Sequence, residues 1–190
     1  WNSTISKDRE QISLSPGSDN SSVNFAWYTK EASGVQKLKI AENKRLTNAK
    51  VYEAKQTKAV TDKDKTEYVS NKVTATDLKA NTTYYYSYQK DRQWTAPEKY
   101  TTDNGSKFSF IFVGDPQIGS SNELKGAATE EFYNAQSAAV ANDAFNWNTT
   151  LNQAMEKTGN KASFVLSSGD QIQSTKKKSP NKAAWGSEIE

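Results

Sequence analysis

The chain has 190 residues, 25 Lys+Arg against 22 Asp+Glu for a formal net charge of +3, and neither Cys nor His. The missing residues exclude disulfides, zinc fingers, thiol nucleophiles, Ser-His-Asp triads and His metal ligands within this stretch, so chemistry here rests on carboxylates, amides and hydroxyls. Hydrophobic residues reach 34%, which even with the glycines falls short of the roughly 45–50% of an average globular domain.

Aromatics stand at 11%, which argues against a long disordered tail. No apolar run approaches the roughly 18 residues of a membrane span. A start at Trp1 without a basic-then-apolar leader reads as a chain whose signal peptide, if any, has been removed. Residues 1–106 hold 17 basic and 13 acidic side chains, and residues 107–190 hold 8 and 9. The basic residues of the first half (Lys37, Lys39, Lys55, Lys58) alternate along strand-like runs, which reads as a solvated sheet face and not a nucleic-acid surface. Lys176-Lys177-Lys178 reads as a solubility cluster.

Short alternating segments occupy the first hundred residues. Gln11–Ser15 ends at the turn-forming run Pro16-Gly17-Ser18-Asp19-Asn20. Val23–Trp27 places Val23, Phe25 and Trp27 on one face, and Val35–Ala41 follows with Leu38 and Ile40 on one side. Ala49–Thr57, Tyr68–Leu78, Thr82–Gln89 and Trp94–Thr101 complete seven β runs separated by polar turns. That spacing predicts an antiparallel β-sandwich of about 100 residues. Leu78 precedes Tyr84 around a turn, as in a tyrosine corner, where the phenol folds back onto the turn backbone. With Trp27 on an early strand, the segment 1–104 resembles a fibronectin type III-like domain.

The pattern changes after Asn104-Gly105-Ser106. Phe108–Val113 is almost continuously apolar, as expected of a strand covered on both faces, and it stops at Gly114-Asp115-Pro116-Gln117-Ile118-Gly119. A polar, Ala-rich stretch over 120–141 reads as a lid-like loop or an irregular helix. Asn142-Asp143 offers an N-cap to a helix carrying Ala144, Trp147, Leu151, Ala154 and Met155, closed by Gly159-Asn160. A second apolar strand, Ala162–Leu166, ends at Ser167-Ser168-Gly169-Asp170-Gln171. Strand, helix, strand predicts a parallel pair.

Both apolar strands thus finish in Gly-Asp, and in an open α/β sheet ligands bind outside the carboxyl ends of the strands. Two neighbouring carboxylates both ionise only with a cation between them, and a hard metal is the natural choice. The competing reading of each Gly-Asp is a plain turn or helix cap, and spacing leaves a metal or phosphate site open against it.

Phe-Val-Gly-Asp-Pro-Gln-Ile-Gly (112–119) and Ser-Ser-Gly-Asp-Gln-Ile-Gln (167–173) resemble the first two motifs of the calcineurin-like metallophosphoesterases. The preceding sandwich, with Ser15–Asp19 and the Thr82–Tyr88 run, resembles the N-terminal domain of purple acid phosphatases and their bacterial relatives. The resemblance implies residues 105–190 as the N-terminal portion of an α/β metallophosphoesterase domain. It implies Asp115 as ligand to one metal and Asp170 as a bridge between two, with Fe, Zn or Mn as the ions and a phosphate ester as substrate. Gln117 stands where many members have a His; it is either a neutral amide ligand or a hydrogen-bonding neighbour of Asp115 or substrate. Gln173 stands where the coloured members have a Tyr, so the implied enzyme is not purple. The remaining His ligands and the catalytic residues would lie downstream of Glu190, and these residues alone would be inactive. The family is commonly exported, which implies a secreted or bacterial cell-surface protein. The alternative function is a non-catalytic binding or adhesion module with a degenerate phosphoesterase domain.

Overall fold

The computed structural model describes residues 8–61, 65–124 and 129–172; Gln173, Lys176-Lys177-Lys178 and Trp1 lie outside the described residues. Among the described residues, Glu10–Phe108 form one compact unit, and those from Ser109 on form the body of a second.

The first unit is a two-sheet β-sandwich. One sheet contains β1 (Ser13–Pro16), β2 (Val23–Lys30), β5 (Lys55–Thr61) and β6 (Glu67–Ala75) in the order β1-β2-β6-β5. The other contains β3 (Lys37–Ala41), β4 (Lys50–Glu53), β7 (Thr83–Lys90), β8 (Gln93–Trp94) and β9 (Glu98–Thr101). Its order is β4-β3-β7, with β8 and β9 both paired to β7. All pairings in both sheets are antiparallel.

Two of the seven runs expected from sequence each divide into two strands. Ala49–Thr57 breaks at the buried Ala54, whose N–H donates to the Gln36 carbonyl (2.9 Å). Before that point the chain pairs with β3 in one sheet, and after it with β6 in the other. Trp94–Thr101 breaks before Pro97, which has no N–H to give to a ladder. The resulting strands pair with opposite ends of β7.

The core follows the two-residue period. Val23, Phe25 and Trp27 on β2 face Tyr84, Tyr86 and Tyr88 on β7, with Leu38, Ile40 and Val73 packed beside them. Phe25 meets Tyr86 at 5.0 Å between ring centroids, and Trp27 meets Tyr88 edge-on at 5.5 Å. The Trp27 indole N–H donates to the Gln89 carbonyl (2.9 Å), linking the two sheets. The Tyr84 hydroxyl accepts the backbone N–H of Lys79 (2.9 Å), closing the expected corner. Buried amides are satisfied as well: Asn71 donates to the Thr29 hydroxyl (2.9 Å) and accepts from Gln56 (2.7 Å).

The second unit contains β10 (Phe110–Val113), α1 (Glu130–Lys157) and β11 (Phe164–Ser167). β10 and β11 are parallel, with Phe110 opposite Phe164 and Phe112 opposite Leu166. The helix begins a dozen residues earlier than the Asn142-Asp143 cap would place it. Thr129 is the N-cap, its hydroxyl accepting the Phe132 N–H (3.2 Å). Glu130 and Glu131 in the first turn complement the positive end of the helix, and Ala135, Ala138, Ala139 and Ala141 carry high intrinsic propensity. The stretch first read as a loop or irregular helix is therefore, from Glu130 on, regular helix. Its far end closes as expected: Gly159 and Asn160 are left-handed, and their N–H groups return to Glu156 and Met155 (both 2.9 Å), the Schellman arrangement. The expectation that β10 is covered on both faces is corrected among the described residues. Ile111 is buried, whereas Phe110 and Phe112 on the other face are exposed.

Candidate functional site

Beyond their last paired residues the segments following β10 and β11 stay side by side. Ser168 N–H donates to the Val113 carbonyl (2.8 Å), Asp115 N–H to Gly169 (3.1 Å), Gln117 N–H to Asp170 (2.9 Å) and Ile118 N–H to Gln171 (3.0 Å). An Ile118–Ile172 bridge completes the run. The backbones of Asp115, Gln117 and Asp170 are thus brought together at the carboxyl ends of a parallel pair. Asp115 and Asp170 are exposed, and Gln117 is half-buried.

The glycines do not both act as sequence reasoning expects. At the first loop Asp115 itself takes the left-handed conformation (φ 60°), and Gln117 follows at φ 39°. Asp tolerates this region better than most residues because its short polar side chain bonds locally. Gly114 has a different surrounding: a Cβ there would lie 2.0 Å from the Ser168 hydroxyl oxygen, which would have to rotate away from the Val113 carbonyl it bonds, while the Ser168 backbone nitrogen is 3.9 Å off. At the second loop Gly169 (φ 111°) and Asp170 (φ 50°) are both left-handed. Gln171 braces this loop by donating to the Ser167 hydroxyl and to the Gly169 carbonyl.

The helix supplies two residues that the sequence reading did not assign to the site. Gln117–Ser120 is a tight turn, Ser120 N–H donating to the Gln117 carbonyl (2.9 Å) with Gly119 at φ 97°; such a turn needs φ > 0 at its third residue. One oxygen of Asp143, in the middle of α1, accepts the N–H of Gly119 (2.8 Å) and of Ser121 (3.3 Å). Gln136, only 1% exposed, donates to the Gly119 carbonyl (2.8 Å) and accepts from the Asn122 amide (2.9 Å). The detectable signal was a helical stripe, Phe132, Gln136, Ala139, Val140, Asp143, in which two polar residues share the face of the buried apolar ones.

Two carboxylates and an amide oxygen are hard donors, suited in kind to Mn, Zn or Fe ions. Among the described residues no group of three or more His, Cys, Asp or Glu side chains is gathered to hold a metal, so the donors fit a hard cation in chemistry and would by themselves be too few for a full coordination shell. No helix among the described residues is long and apolar enough to cross a membrane.

Residues 9–102 match the family model of the purple acid phosphatase N-terminal domain. No curated protein matches the chain. Similar solved structures include the purple acid phosphatase PPD1 from yellow lupin (Lupinus luteus) seeds, at 9% identity and a TM-score of 0.42, covering 59% of this chain and 24% of that one. A cyclomaltodextrinase is similar over 61% of this chain and 25% of its own, at 11% identity and a TM-score of 0.32. The chain spans about a quarter of the length of each.

Proposed function

We propose, from the match of residues 9–102 to the purple acid phosphatase N-terminal domain, that the chain is the front portion of a metal-dependent phosphoesterase. In this reading the sandwich precedes the first β-α-β part of an α/β metallophosphoesterase domain, and the protein is secreted or held at a bacterial cell surface. The observation that carries the reading is the backbone ladder joining Asp115 to Gly169 and Gln117 to Asp170. It sets two Gly-Asp loops side by side where an α/β sheet binds ligands.

Asp115 and Asp170 would supply anionic oxygens to two metal ions (Fe, Zn or Mn), and Gln117 a neutral amide oxygen. Such ions, when bound, polarise phosphoryl oxygens and acidify water. The residues of this chain hold the donors in place: the left-handed turns at Asp115 and Asp170 direct the loops, and the ladder fixes their spacing. Further ligands and the proton donor to the leaving alcohol would come from sequence beyond Glu190, and the 190 residues alone would hydrolyse no ester. Gln117, a weaker ligand than imidazole, favours the second reading, a binding module with a degenerate phosphoesterase domain.

The test is metal analysis and phosphate-ester turnover of the full-length protein. Wild type should retain metal and hydrolyse p-nitrophenyl phosphate, and Asp170→Ala should lose both, with turnover down at least about 100-fold, the order expected when a metal clamp is lost. Metal-free, inactive wild type would overturn the enzyme reading and leave the binding-module reading.

A further inference from the structure

Resting on that reading, we infer that Asp143 and Gln136 on α1 are positioning residues for the Asp115–Gln117 loop. A helix interior is a poor place for Asp, whose short side chain competes with the backbone, and Gln136 is almost wholly buried. Each is spent on the same short segment. Asp143 takes the N–H groups of Gly119 and Ser121, and Gln136 takes the Gly119 carbonyl. Gly119 therefore has both of its backbone polar groups bonded to the helix. Gly119 is two residues from Gln117 and in the same turn, and Gln117 is laddered to Asp170.

The consequence is mechanical. The ladder to the second loop fixes Asp115, Gln117 and Ile118 on one side, and the helix fixes the turn that follows on the other. Left-handed Asp115 and Gln117 are costly conformations that persist only where surrounding structure over-determines them. The helix bonds supply part of that constraint. Residues that orient metal ligands from behind typically change metal affinity about 10–100-fold when removed.

The experiment compares wild type, Asp143→Ala, Asp143→Asn and Gln136→Met in the full-length protein. Hydrogen exchange is read over 115–122 and over the sandwich, and Mn2+ affinity by isothermal titration. Asp143→Ala should speed exchange over 115–122 while leaving β2, β6 and β7 protected, and weaken Mn2+ binding about tenfold. Asp143→Asn keeps an oxygen acceptor and should recover most of both. Gln136→Met, similar in volume, should speed exchange in the same segment. Where wild type binds Mn2+ and Asp143→Ala binds it equally well, the positioning role is overturned and the metal site stands. Where wild type binds none of Mn2+, Zn2+ and Fe2+, the phosphoesterase reading falls and the positioning role with it. Unchanged exchange over 115–122 in both Asp143→Ala and Gln136→Met would show that the helix does not hold the loop.

Discussion

Tyr86 shows how a buried side chain contributes to the pH dependence of the sandwich at its alkaline end. It lies between the sheets against Phe25, and burial pushes its hydroxyl from 10.0 up to about 12, with Glu98 and Tyr88 adding in the same direction. Burial raises Tyr100 as well. The folded state favours the protonated phenol, so this contribution is whole below pH 10 and is lost as pH rises from about 10 to about 12, where only the unfolded chain ionises freely. The urea midpoint of the protein should therefore fall across that window. Tyr86→Phe, which has nothing to ionise, should fall less steeply. Parallel declines in the two proteins would mean that Tyr86 is not a source of the loss.

Among the elements, the turn joining β1 to β2 was legible and the middle of the chain was not. Pro16-Gly17-Ser18-Asp19-Asn20 announces a turn by composition, and the structure shows what each part does. Asp19 accepts the Ser21 N–H (2.8 Å) and hydroxyl (2.7 Å), bonds that hold its carboxyl below the usual range. Gly17 N–H donates to Ser22 (3.2 Å). A Cβ on Gly17 would lie 2.1 Å from the Ser22 hydroxyl oxygen and 2.7 Å from its carbonyl carbon. The hydroxyl can rotate away but the backbone cannot. Gly17→Ala should thus destabilise the sandwich by about 1–3 kcal/mol, the usual cost of forcing extra volume into a packed site. Urea unfolding with an unchanged midpoint would mean that the turn relaxes freely. The same kind of local reading succeeded for Val23–Trp27, Tyr84 and Gly159-Asn160, because alternation, the corner and the helix cap are short-range patterns. It failed at Ala54, because a strand that changes sheets keeps its alternation and only tertiary pairing marks the break; before Pro97 the mark is local, a residue with no N–H to give to a ladder, and both halves stay paired to β7. It failed again at Asp143, because an Asp that bonds a distant loop has the same sequence appearance as an Asp that caps a helix. Asp115 and Asp170 could be found from their strands; for Gln136 and Asp143 the helical stripe marks a shared face but not the partners, which are 17 and 24 residues away.

At the scale of the whole chain, the two units differ in how completely each covers its own apolar surface. The sandwich closes two sheets over a shared core. In the second unit Phe112 is 65% exposed, Leu166 opposite it 48%, and Phe110 47% although its ring stacks on Phe164. A parallel pair of four-residue strands is marginal in water, and parallel sheets are ordinarily covered on both faces. If the proposed phosphoesterase continues past Glu190, added layers of that domain are what would cover this face. The 190-residue chain should then bind a dye such as ANS strongly and the full-length protein weakly. In the short chain, Phe112→Ser with Leu166→Ser should remove most of the dye signal and leave the urea midpoint of the sandwich unmoved, since neither residue belongs to its core. Equal dye binding by the short and full-length proteins would mean that downstream sequence leaves the Phe112–Leu166 face open. That face would then be a surface presented by the mature protein, and the binding-module reading would gain at the expense of the enzyme.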